Sequence, residues 1–86
     1  GYSACFGGAV EYAATLEKVT VGPVTVTAEV TIDHNASGFF LAVKLRTKVE
    51  GADRATAERL VSRAHNEICP YSKATRNNIK VELELA

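Results

Sequence analysis

From Val24 to Asp33 the chain alternates without a break, and that constrains the fold more than any other feature. Val24, Val26, Ala28, Val30 and Ile32 fall on one side, and Thr25, Thr27, Glu29, Thr31 and Asp33 on the other. Successive side chains of an extended strand point to opposite faces, so a period of two means a strand with one apolar and one wet face. A second run repeats the pattern. Phe39, Leu41, Val43, Leu45 and Val49 are apolar, Lys44, Arg46, Lys48 and Glu50 are charged, and Thr47 interrupts the apolar side. His34, Asn35, Ala36, Ser37 and Gly38 stand between the runs and predict a hairpin closed by about four or five loop residues. A sheet built this way needs cover on one face only.

Two helical segments supply that cover. In residues 2–18, Ala4, Cys5, Gly8, Ala9, Tyr12, Ala13 and Leu16 recur at three- and four-residue steps, and Phe6, Val10 and Ala14 widen the apolar surface. A helix this apolar is buried from several directions. Gly7 and Gly8 weaken its interior, which suggests another backbone approaching closely or a frayed first turn. Farther on, Asp53 is a good N-cap. Ala57, Leu60, Val61, Ala64 and Ile68 then line one face of a second helix, which Pro70 stops beside Cys69. Residues 72–78 are polar and turn-rich, enough for one short helical turn. Ile79, Val81, Leu83 and Leu85 alternate with Lys80, Glu82 and Glu84 as a last strand. The order α-β-β-α-β predicts an α+β fold: an antiparallel sheet packed on one face against helices, in a single domain spanning residues 1–86. Three strands and so apolar a first helix make a thin unit. The expectation is an N-terminally incomplete domain, completed by a preceding segment and a second subunit.

Charge excludes some partners. Ten basic residues balance ten acidic ones, with no run of one sign. This argues against nucleic acid or an anionic membrane as partner. No apolar stretch is long enough to span a bilayer, and no secretory leader pattern opens the chain.

The chemistry-bearing residues are few. Two cysteines are too few for a disulfide-rich secreted scaffold. They leave open two buried thiols, one structural disulfide, one of each, or a redox pair. Cys5 falls in the first turn of the first helix, where the exposed N–H groups favour a thiolate. Cys69 stands at the end of the second helix, where the dipole opposes one. If either initiates chemistry, local electrostatics choose Cys5. His65, four residues before Cys69, shares its helix face; a structural histidine and a Cys–His pair are both compatible with that spacing. Cys5, His34, His65 and Cys69 have no metal-site spacing, so no metal is expected. Asn35-Ala36-Ser37 has the form of a glycosylation acceptor, read as chance.

Two stretches add a resemblance. Gly1-Tyr2-Ser3-Ala4-Cys5-Phe6 resembles the reactive-cysteine helix of the organic hydroperoxide resistance proteins, the Ohr branch of the OsmC/Ohr superfamily. Residues 64–72 (Ala-His-Asn-Glu-Ile-Cys-Pro-Tyr-Ser) and 74–79 (Ala-Thr-Arg-Asn-Asn-Ile) are similar to that branch's second-cysteine signature. The resemblance covers essentially the whole chain. It implies a cytoplasmic thiol peroxidase, an intertwined homodimer with sites near the subunit interface and no cofactor. By matching positions, Cys5 attacks an organic or lipid hydroperoxide and Cys69 condenses with the resulting sulfenic acid. A dithiol such as a lipoyl group then reduces the disulfide. Apolar neighbours of Cys5, Phe6 among them, would shape the substrate pocket. The family's thiolate-holding arginine and glutamate have no counterpart in this chain, and its N-terminal strands are absent. The competing readings are a non-catalytic binding module and a peroxide sensor that oxidises without turnover.

Overall fold

The two alternating runs pair as an antiparallel hairpin, β1 (Val24–Asn35) and β2 (Gly38–Val49), with Val24 opposite Val49 and Asn35 opposite Gly38. The computed structural model describes all of residues 1–86. The turn is tighter than expected. Pairing runs to its foot and leaves only Ala36 and Ser37 unpaired. Asn35 makes this affordable: its Oδ1 accepts from the Ser37 N–H at 2.8 Å, and Gly38 takes φ +116°, a conformation disfavoured for other residues.

The remaining elements are α1 (Tyr2–Leu16), α2 (Arg54–Arg63), a π-helical turn (Ala64–Ile68), α3 (Pro70–Thr75) and β3 (Lys80–Leu85). Asp53 caps α2 as expected, its Oδ1 accepting from the Thr56 N–H at 2.7 Å. The α+β class and the element order agree with the sequence, but one pairing differs. β3 joins β2 in parallel, Val43 beside Val81 and Leu45 beside Leu83, so the sheet is mixed, in the order β1-β2-β3. The connection allows it. From β2 the chain crosses through α2, the π turn and α3 before returning, a connection long enough for the crossover that parallel neighbours need.

The core forms where α1 and α2 meet the middle of this sheet. Phe6, Val10 and Ala13 of α1 pack with Val43, Leu45 and Val49 of β2, with Leu60 and Val61 of α2, and with Ala64 and Cys69. The inward face of α1 is rotated from the one the three- and four-residue spacing suggested. Phe6 and Val10 are fully buried, whereas Ala4, Gly8, Tyr12 and Leu16 are exposed. Burial energy follows apolar area, and Phe6 with Val10 outweighs Ala4 with Gly8. Neither glycine answers a tight approach. A Cβ on Gly7 would make ordinary contact with Val26 at 3.6 Å, and one on Gly8 would meet open space.

Glu17 ties the end of α1 to α2 through Arg59 at 2.7 Å and Arg63 at 3.4 Å, and the Arg59 hydrogen bond holds its carboxyl below the usual carboxylate range. Thr47 is fully buried on the apolar side of β2, with no partner for its hydroxyl. An orphaned hydroxyl of this kind costs about 1–3 kcal/mol. Only the proximal half of the hairpin is covered. Val30, Ile32 and Phe39 are 57%, 68% and 81% exposed, and the molecule is elongated, 47 × 21 × 21 Å.

Candidate active site

Cys69 occupies an elbow that its neighbours dictate. The helix begun by α2 widens into the π turn, closed by the Cys69 N–H donating to the Ala64 carbonyl at 2.8 Å. A residue before proline is pushed out of the helical region, and Cys69 duly takes ψ 119°. Pro70, which lacks an N–H, is suited to the first position of a new helix, and α3 starts there. The sequence placed Cys69 at a helix C-terminus alone. In the structure it also N-caps α3.

The elbow lies against the first turn of α1. Cys5 Sγ and Cys69 Sγ are 3.4 Å apart, both as free thiols, with Cys5 half-buried and Cys69 only 1% exposed. A disulfide needs ~2.05 Å between sulfurs, so an approach of roughly 1.3 Å would close the bond.

The electrostatics differ from the expectation for Cys5. Burial pushes its thiol up, the hydrogen bond and charge of Cys69 push it further, and only the Tyr71 backbone N–H acts the other way. No cation is among these influences. Cys5 is also not at the open end of the helix, because its own N–H already donates to the Gly1 carbonyl at 3.2 Å.

Around the sulfurs, Tyr2 packs edge-to-face with Phe6 (ring centroids 6.3 Å) and at a tilt with Tyr71 (5.6 Å). Tyr71 covers the start of α1 so closely that a Cβ on Gly1 would lie 3.0 Å from its hydroxyl. Phe6 is fully buried in the core and lines no substrate pocket, contrary to expectation. His65 makes its hydrogen bond to Ser72 rather than to Cys69: Nδ1 is 2.8 Å from Ser72 Oγ, which is 2.7 Å from the Tyr2 hydroxyl. Desolvation, then the nearby Arg76 charge, depress the His65 pKa. Arg76 itself donates to the carbonyls of His65 and Asn66. Sequence reasoning missed Tyr2, Ser72 and Thr75. The available signal was spacing, since Tyr2 precedes Cys5 by one helical turn and Ser72 follows Cys69 by one.

His34 is remote, at the hairpin tip against Phe39. No three His, Cys, Asp or Glu side chains gather to hold a metal, and no helix is long and apolar enough to cross a membrane. The largest groove, about 450 Å³, runs between α2 and β3 beside Arg54, Val61 and Leu83. Neither cysteine lines it or any of the smaller grooves. These residues alone bring the thiols together without building a cleft around them.

A mixed sheet backed by helices, with two reduced thiols in contact across a helix start and a proline elbow, defines a two-cysteine α+β domain. Residues 1–84 match the family described as OsmC-like protein, and the chain belongs to that family. It is similar to the organic hydroperoxide resistance protein of Xanthomonas axonopodis pv. citri, 45% identical over 87 residues that take in 100% of this chain and 61% of that protein. The crystal structure of the organic hydroperoxide resistance protein OhrB of Bacillus subtilis superposes with a TM-score of 0.92 at 42% identity, covering 100% of this chain and 64% of that one. An organic hydroperoxide resistance protein from Legionella pneumophila superposes with a TM-score of 0.93 at 39% identity, covering 100% and 63%. The chain therefore spans about three fifths of the length of the relatives it matches.

Proposed function

We propose that the full-length protein is a thiol-dependent peroxidase that reduces organic hydroperoxides to alcohols, with Cys5 attacking and Cys69 resolving. The observation that carries this reading is the 3.4 Å contact between the Cys5 and Cys69 sulfurs, one half-buried and one buried. The half-exposed Cys5 is the one a substrate can reach. The names of the relatives, organic hydroperoxide resistance proteins, support the substrate class.

The Cys5 thiolate attacks the terminal peroxide oxygen. The O–O bond breaks, an S–O bond forms, and the alkoxide takes a proton to leave as alcohol; sulfur is oxidised by two electrons to a sulfenic acid. Cys69 then attacks that sulfur. An S–S bond forms, the S–O bond breaks, and hydroxide leaves with the Cys69 proton as water. A dithiol of the lipoyl class restores both thiols by exchange. No cofactor takes part, because sulfur supplies the electrons. The raised Cys5 thiol must be offset by a positive charge, which no group among these 86 residues provides. We assign that charge to the rest of the full-length protein. The family resemblance supports the cytoplasm as its compartment, and the uncovered half of the hairpin suits an intertwined homodimer.

The test is turnover of cumene hydroperoxide by the full-length protein with a dithiol. Cys5→Ser should abolish consumption, and Cys69→Ser should leave attack intact but halt cycling at the sulfenic acid. Full turnover by Cys5→Ser would overturn the assignment. The raised Cys5 thiol and the lack of a groove at the sulfurs favour a second reading, a peroxide sensor or binding module. A sensor would oxidise once and fail to cycle with any dithiol. A binding module would not oxidise at all.

A further inference from the structure

The two cysteines are fastened to each other by something other than sulfur. One helical turn before Cys5, the Tyr2 hydroxyl lies 2.7 Å from Ser72 Oγ, and Ser72 stands one turn after Cys69. Ser72 is fully buried. Its hydroxyl is held on two sides, by Tyr2 and by His65 Nδ1 at 2.8 Å. With His65 neutral and its proton on Nε2, Ser72 O–H donates to Nδ1 and Tyr2 O–H donates to Ser72 Oγ. Thr75 closes the set: its O–H donates to the Ser72 carbonyl at 3.1 Å, and its oxygen sits 3.3 Å from the Tyr2 hydroxyl. Every hydroxyl in the group is satisfied within the fold. Beside the contacts of the Cys5 sulfur with Cys69 and the Tyr71 N–H, this network joins the start of α1 to α3.

We propose that Tyr2 and Ser72, with His65 behind them, are positioning residues for disulfide closure: their hydrogen bonds clamp the Cys69 elbow to α1 and hold the sulfurs in contact before any bond forms. The inference rests on the peroxidase reading only for its use in turnover. The geometry applies to any ring closure by Cys69 on an oxidised Cys5. Holding a reactant near its target replaces a search by an intramolecular step. Without the clamp the elbow keeps its core packing and the Tyr71 contacts with Tyr2 and Cys5, but samples more widely the positions from which Cys69 cannot reach. Cys5 then stays longer as sulfenic acid, exposed to further oxidation. The chemical step is unchanged: S–S forms, S–O breaks, and water leaves.

The experiment uses full-length protein carrying Tyr2→Phe, which keeps the ring and removes one hydroxyl. Two closures are timed by acid quench, thiol alkylation and mass spectrometry. One starts from cumene hydroperoxide and follows sulfenic acid to disulfide. The other starts from glutathione disulfide, without peroxide, and follows loss of glutathione from a Cys5–glutathione mixed disulfide. A net hydrogen bond is worth about 1 kcal/mol, so both closures should slow roughly 5- to 10-fold, with peroxide attack within about 2-fold of wild type. His65→Asn, which keeps an acceptor near the Nδ1 position, should close at nearly the wild-type rate, and His65→Leu should be slowed like Tyr2→Phe. Closure by Tyr2→Phe at the wild-type rate in the mixed-disulfide arm overturns the clamp, as does equal slowing by His65→Asn and His65→Leu. Failure of wild type to form sulfenic acid, with mixed-disulfide closure still slowed in Tyr2→Phe, sinks the peroxidase reading and leaves the clamp standing.

Discussion

At the scale of the residue, the two sulfurs carry different burdens. Cys69 is sealed in the core and Cys5 is half-open, so reagents from solution meet Cys5 first. Burial and Cys69 together hold the Cys5 thiol above its ordinary range, which means less thiolate at any given pH. Thiolate is the nucleophile. In the 86-residue chain, the pH midpoint for alkylation of Cys5 by iodoacetamide should therefore lie above that of free cysteine, ~8.5. In the full-length protein a neighbouring cation should bring it below that value. A midpoint below ~8.5 in the short chain would show that α1 alone activates the thiol. The same raised pKa makes deprotonation unfavourable to the fold: this contribution to stability is present below the ordinary thiol pKa and is lost as pH rises through the folded value. The residues of the pair were legible in the sequence. Their contact was implied by the family resemblance and not by spacing, because it depends on where the crossover sets down the elbow.

At the scale of the element, what was legible was what repeats. Alternation, unbroken in β1 and interrupted only by Thr47 in β2, gave away both strands of the hairpin, and Asp53 marked the start of α2. Three features were not readable in this way. The π turn arises where five residues must deliver Cys69 to α1, and no side-chain pattern announces a wider turn. The parallel pairing of β3 is permitted by the length of the crossover and leaves no mark in the alternation of β3 itself. The inward face of α1 was decided by two large side chains against several small ones. The hairpin shows the converse, a pattern written for burial that these residues do not satisfy. Val30, Ile32, Phe39 and Leu41 share the apolar face of its far half and are all exposed. Apolar surface of this kind usually marks an interface. We expect the full-length protein to sediment as a dimer, and Ile32→Glu with Phe39→Glu to shift it toward monomer. A wild-type monomer at micromolar concentration would contradict this.

At the scale of the whole molecule, the fold acts as a frame. It brings two cysteines remote in the chain to one point and fastens their segments a turn away through Tyr2 and Ser72. The mixed sheet and the core of Phe6, Leu45 and Leu60 set the distance, and the proline elbow sets the direction. What the frame does not provide is a cleft or a positive charge at Cys5, and the relatives are longer than this chain by the portion it does not span. The most direct test is to treat the reduced full-length protein with one equivalent of cumene hydroperoxide and map its cross-links by mass spectrometry without reduction. One intramolecular Cys5–Cys69 disulfide is expected, formed with stoichiometric alcohol and absent from Cys5→Ser. Two thiols left free after the peroxide is added, or oxidation of Cys69 with Cys5 untouched, would contradict it.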